Sequence, residues 1–148
     1  MLYLYIIIYS FFLHGSQKNI DEILCDYRTL IDKYPNEKKL NYNLGNIYYS
    51  IGNYDSALFN YNESLLIGSD SLRSSILYNL ANLSFIKKDY KNSEKLYKEV
   101  LRINPNDFDA KYNYELCKKM INQDQQSQDQ QSQDQQSQDQ QSQDQQSQ

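Results

Sequence analysis

Asn41-Tyr42-Asn43-Leu44-Gly45-Asn46-Ile47-Tyr48, running on through Gly52-Asn53-Tyr54-Asp55-Ser56-Ala57 to Tyr61, decides the fold, because a close copy follows it. The copy is Tyr78-Asn79-Leu80-Ala81-Asn82-Leu83, then Asp89-Tyr90, Ser93 and Tyr97, displaced by 36 residues from Leu44 to Leu80. A period between about 20 and 50 residues marks a repeat array whose units bury surface against their neighbours. Leu44, Ile47, Tyr48 and Ile51 fall at i, i+3, i+4 and i+7, one stripe of a helix. Gly52-Asn53 ends that helix, and Tyr54, Ala57, Leu58, Tyr61 and Leu65 lay out a second amphipathic one, so each copy is an antiparallel helical hairpin. Small residues at Gly45, Ala57 and Ser64 let the two helices approach closely. The second copy closes at Asn104-Pro105-Asn106-Asp107, where proline stops one helix and Asp or Asn caps the next.

These residues resemble the tetratricopeptide repeat. Its pattern is matched at Leu44, Gly45, Tyr48, Gly52, Tyr54, Ala57 and Tyr61, and again at Leu80, Ala81, Tyr90, Tyr97 and Pro105. Departures are Asn41 in place of a large apolar residue, Ser84 for Tyr, Lys88 for the second Gly, Ser93 for Ala, and Gly68-Ser69 instead of a closing Pro. The resemblance implies an all-α, right-handed α-solenoid without sheet over residues 17–121. Its repeats are 38–71 and 74–107, with a leading helix near 18–34 striped by Ile20, Ile23, Tyr27, Leu30 and Ile31, and a capping helix over 107–121. In that family the first helix of each repeat lines a concave groove, which here carries Tyr42, Asn46, Tyr49, Tyr78, Asn82, Phe85 and Tyr112. These are the candidate partner-binding residues: an Asn amide can bond a peptide backbone while an adjacent ring covers a side chain. The implied function is a non-enzymatic scaffold for a peptide or protein partner. One subtype clamps a chaperone's terminal carboxylate with Lys and Asn; Tyr42 and Tyr78 occupy the lysine positions and disfavour that partner.

A narrower resemblance covers Val100-Leu101-Arg102-Ile103-Asn104-Pro105-Asn106-Asp107-Phe108-Asp109-Ala110-Lys111-Tyr112-Asn113-Tyr114-Glu115 with the Gln-rich tail. It is similar to the closing segment of tetratricopeptide components of bacterial aerotolerance (Bat-type) operons, with Tyr114 replacing the usual Leu. That resemblance implies a periplasmic or inner-membrane-associated scaffold in a stress-tolerance complex with von Willebrand factor A domain membrane proteins. The alternative is a cytoplasmic adaptor or co-chaperone-like scaffold with residues 1–16 packed as a first helix.

The N-terminal run Leu2 to Leu13 is apolar apart from Ser10 and tyrosine hydroxyls. As a helix, 12 residues span about 18 Å, short of the roughly 30 Å hydrocarbon core of a bilayer. Residues 1–16 therefore read as an export signal cleaved near Gly15-Ser16, as a short uncleaved anchor, or as a packed first helix. The three readings stay open. At the other end, Asp124 to Gln148 is five copies of Asp-Gln-Gln-Ser-Gln with no apolar residue. It cannot bury surface, so residues 122–148 are expected to be a disordered tail. Its period of five does not fit a coiled-coil seam.

Catalytic and metal chemistry have no foothold in the residue pattern, so neither an enzyme nor a cofactor is expected. There is no Gly-rich phosphate loop and no metal-spaced Cys/His cluster, and the single histidine, His14, sits beside the apolar run. The net charge of −4 comes largely from the tail: residues 1–123 carry 15 basic and 14 acidic side chains, which excludes a nucleic-acid footprint. The 15 tyrosines accompany a general Asn, Lys and Ile bias and are not by themselves a binding device. Cys25 and Cys117 fall in the first and last expected helices, too far apart for a disulfide, and are expected as free, partly buried thiols.

Overall fold

Helix boundaries in this chain are set by polar caps and left-handed turns, and both recur at the repeat spacing. A computed structural model describes residues 19–65 and 69–146, with side chains in the final helix described continuously through Ser127. The readings of residues 1–16 as signal, anchor or packed helix lie outside the described residues. Among those residues there are six helices and no strand: α1 (Ile20–Lys33), α2 (Lys38–Ser50), α3 (Tyr54–Ser64), α4 (Asp70–Ile86), α5 (Tyr90–Ile103) and α6 (Phe108–Gln146). The chain is all-α, as the period implies. None of the described helices is long and apolar enough to cross a membrane.

Asn53 Oδ1 accepts from the Ser56 amide at 3.1 Å, Asp89 Oδ1 from Asn92 at 3.2 Å, and Asp107 Oδ1 from Ala110 at 2.9 Å, so α3, α5 and α6 start alike. Each side chain satisfies an amide that the first helical turn leaves unpaired. The ends of α2 and α4 also match. Gly52 N–H bonds Tyr49 O at 3.1 Å and Asn53 N–H bonds Tyr48 O at 2.9 Å; Lys88 and Asp89 repeat the pair on Phe85 and Ser84, both at 2.9 Å. This is the Schellman closure, which puts its hinge residue in the left-handed region. Gly52 has φ +76° and Lys88 has φ +61°. Lys88, a departure from the repeat pattern, therefore keeps the glycine's backbone conformation at a steric cost.

Contacts divide the chain into two compact units, Met1–Leu66 and Ile67–Gln148. In the first, α2 pairs closely with α3 and more thinly with α1; in the second, α5 lies between α4 and α6. The core of the first hairpin is Leu44, Tyr48, Ala57 and Tyr61, and that of the second unit is Ile76, Leu80, Ala81, Leu83, Tyr97, Val100, Ala110 and Cys117. Polar atoms inside it are spoken for. Ser64 Oγ donates to Tyr61 O at 2.7 Å, Ser93 Oγ to Ala81 O at 2.8 Å, and Cys117 Sγ to Ser93 Oγ at 3.2 Å. Cys117 is free and buried as expected, whereas Cys25 is exposed rather than partly buried, because α1 packs only thinly on its neighbour.

The final helix departs from expectation. A capping helix ending near 121 and a disordered tail over 122–148 were implied by the absence of apolar residues, yet α6 runs unbroken from Phe108 to Gln146. The reason is propagation. Ala110 and Cys117 anchor the first turns in the core, which removes the nucleation penalty, and Gln, a good helix former, continues with no Gly or Pro to stop it.

Two substitutions test this architecture by urea unfolding. A Cβ on Gly45 would stand 2.7 Å from two ring carbons of Tyr61, so Gly45→Ala should destabilise by about 1–3 kcal/mol, although alanine is intrinsically the better helix former. Lys88→Gly should stabilise by roughly 1 kcal/mol by relieving the left-handed backbone, and an unchanged midpoint would show that the turn is not strained.

Candidate functional site

The candidate residues on α2 and α4 are built into their own hairpins by the same three contacts. In the first, the Tyr61 hydroxyl donates to Asn46 Oδ1 at 2.8 Å, the Tyr42 ring lies 6.0 Å from that of Tyr61, and Tyr49 lies 5.7 Å from Tyr54. In the second, Tyr97 donates to Asn82 Oδ1, Tyr78 lies 5.6 Å from Tyr97 in edge contact, and Phe85 lies 5.1 Å from Tyr90, again edge-on. Ring pairs at these separations add to area burial. All six side chains are half-buried. Burial, with Tyr54 alongside, pushes the Tyr49 hydroxyl above its ordinary pKa.

The residues that the sequence spacing put on one side of their helices have a structural duty. Tyr61 and Tyr97 are each 1% exposed, and the Asn amides receive the one polar group those side chains carry inward. The side of each ring not engaged in these contacts accounts for its partial exposure.

Tyr112 is different. It holds the matching position on α6, but among the described residues no tyrosine of a second helix lies against it, and its ring is 71% exposed. One turn earlier stands Phe108, 79% exposed, which the sequence reading treated only as the start of a helix. Its spacing of four from Tyr112 was the available signal, since i and i+4 share a helix face. Within the second unit Asn113 Nδ2 donates to the Tyr78 hydroxyl at 3.1 Å, tying α6 to α4 beside this aromatic pair. The fold thus holds Asn113, the sequence neighbour of Tyr112, against Tyr78, while Phe108 and Tyr112 lie exposed one turn apart on α6. Tyr42, Asn46 and Tyr49 form the corresponding face of the first unit.

A separate cavity of about 500 Å³ in the first unit is lined by Arg28, Ile31, Asn41, Leu44, Tyr48 and Phe59 among others. None of the seven candidates lines it. Arg28 Nη2 donates to the Tyr48 hydroxyl at 2.6 Å across its wall, and this bond, with the electrostatic attraction of the Tyr48 oxygen, raises the guanidinium pKa above its ordinary value. No group of three or more His, Cys, Asp or Glu side chains among the described residues is arranged to hold a metal ion.

Comparison with known proteins supports the repeat reading. Tetratricopeptide repeat models match residues 39–67 and 74–107, the α2–α3 and α4–α5 hairpins. Among curated proteins, none matches the sequence significantly. Of solved structures, the fold is similar to that of MamA, with a TM-score of 0.63 at 18% identity over 70% of this chain. This chain spans 59% of the MamA chain. The two matched stretches are tetratricopeptide repeats, a fold that implies protein–protein interaction and is generally non-enzymatic.

Asn46→Ala or Asn82→Ala should each lower the unfolding free energy by about 1–2 kcal/mol, because each strands a buried tyrosine hydroxyl. Urea titration of the single variants measures this; a loss below about 0.5 kcal/mol would mean that water replaces the amide without cost.

Proposed function

We propose that the chain is a non-enzymatic scaffold that takes a peptide or protein partner on the first-helix face of its second unit, with Phe108 and Tyr112 as the anchor. The observation that carries this reading is the exposure of those two rings, 79% and 71%, one turn apart beside the Asn113–Tyr78 bond. A lone exposed aromatic is ordinary, but a contiguous pair next to a preorganised polar group is how interface anchors are built. Tyr78, Asn82 and Phe85 supply a stiff floor, because their rings and amide are fixed before any partner arrives, and Tyr42, Asn46 and Tyr49 give the first unit a face of its own that is fixed in the same way. That rigidity lowers the entropy a partner must give up to bind.

The assignment to a stress-tolerance complex with von Willebrand factor A domain proteins rests on residues 100–115. Val100 and Ala110 in that stretch are fully buried, and Asp107 caps α6. These matches serve folding, so the chemistry of the site supports a peptide or protein partner without narrowing it to that class.

Peptides selected from a random display library on the full chain supply the probe. Phe108→Ala combined with Tyr112→Ala should weaken the selected peptides about 30-fold, equivalent to roughly 2 kcal/mol, while the urea midpoint stays nearly unchanged because both rings are solvent-exposed. Phe59→Ala, in the first unit, serves as the control. Peptides that bind the double variant as tightly as the native chain would remove the anchor from this face.

A further inference from the structure

The cavity of the first unit is polar at two positions where the other hairpin carries leucine. The 36-residue displacement sets Asn41 on Leu77 and Asn60 on Leu96. Asn41 is 7%, Asn60 6% and Leu77 6% exposed, while Leu96 is half-buried, so closing a hairpin does not require an amide at either place. Asn60 is answered within its own helix, where Nδ2 donates to Ser56 O at 2.8 Å. Asn41 is not. Among the described residues no hydrogen bond holds its amide, and no fully enclosed side-chain nitrogen or oxygen lacks a partner, so the amide opens onto the cavity that Asn41 lines. A buried amide without a protein partner costs stability that leucine would not.

Charges of both signs line the same cavity. Arg28, on α1, is held by the neutral Tyr48 hydroxyl and by no carboxylate among the described residues, so its charge is left to meet another anion. Asp32 stands one turn further along α1, and Asp55 lies in the first turn of α3. Phe59, 63% exposed, gives the wall an aromatic ring at a position where the second copy has Lys95. The volume of about 500 Å³ is ample for a small molecule, since such sites run from roughly 300 to 1,000 Å³.

We propose that this cavity binds a small zwitterion of the α-amino-acid class, free or as a dipeptide, with its carboxylate on Arg28, its ammonium toward Asp32 and Asp55, its backbone on the Asn41 amide and an apolar side chain against Phe59. Charge complementarity selects this class. A ligand that is only an anion would face two carboxylates, one that is only a cation would face the guanidinium, and a purely apolar one would leave the Asn41 amide unanswered. A dipolar ligand meets all three, because the guanidinium fork suits a carboxylate and an amide both donates and accepts. The site lies wholly in the first unit and is independent of the partner face on the second.

Calorimetric titration of the full chain with L-leucine and with the dipeptide glycyl-leucine tests it. At least one of the two should bind saturably with a Kd of about 1 mM or tighter, and the tighter one names the source of the ligand. N-acetyl-leucine, which lacks the ammonium, and leucine amide, which lacks the carboxylate, should each bind at least tenfold more weakly than leucine. Arg28→Gln should weaken the tighter probe at least tenfold and leave leucine amide unaffected; Asp32→Asn should weaken the same probe and leave N-acetyl-leucine unaffected. Asn41→Leu, which installs the residue of the other copy, should lower affinity at least tenfold while raising the urea midpoint, a pairing that a merely structural amide would not give. No saturable binding of either probe, capped forms that bind as tightly as leucine, Arg28→Gln weakening every ligand alike, or a lowered midpoint in Asn41→Leu would overturn the proposal.

Discussion

Each complete hairpin depends on one side chain reaching across from its second helix. Tyr61 packs so close to Gly45 that a Cβ there would meet two of its ring carbons at 2.7 Å. Tyr61 and Tyr97 are each 1% exposed, and each sends its hydroxyl to an asparagine on the first helix. Ring and hydroxyl make different demands. In the first hairpin the ring needs a residue without a side chain beside it and the hydroxyl an acceptor one residue further along, and Gly45-Asn46 answers both as an adjacent pair; the second hairpin carries the small Ala81 before Asn82. An unpaired phenol in that position would cost more than its bond contributes, so the asparagine is as much a requirement of the core as the glycine.

The same geometry accounts for how the candidate face behaves. Tyr42 and Tyr78 rest on those tyrosines, and Tyr49 and Phe85 rest on Tyr54 and Tyr90 at the start of the second helix. The face is an extension of the core and is rigid for that reason. Variants at the asparagines therefore act on stability as well as on any surface function, whereas Phe108 and Tyr112 can be changed without disturbing a neighbour.

Much of the fold could be read from period and punctuation. The stripe Leu44, Ile47, Tyr48, Ile51 and the cap residues Asn53, Asp89 and Asp107 carry their physics locally, so hairpin boundaries follow from the residues themselves. The candidate face was located by periodicity, but its commitments to Tyr61 and Tyr97 could not be seen, because a contact fifteen residues distant depends on how two helices cross. Phe108 was passed over since a residue directly after a cap reads as a boundary. The last helix was misjudged because an apolar count addresses burial, while a helix already nucleated by Ala110 and Cys117 continues on propensity.

The Asp-Gln-Gln-Ser-Gln copies in α6 make the helix a screw whose thread is written in the sequence. Each five-residue unit advances the axis by about 7.5 Å and turns it by about 140°. Positions five apart therefore do not share a face of an α-helix, so a five-residue period does not by itself build a stripe along one. Gain or loss of a single unit would alter reach and azimuth together, while five units bring the azimuth back to within about 20° of its start. Copy number in this stretch is therefore an angular coordinate as well as a length, and one added unit turns whatever follows by about 140° about the same axis.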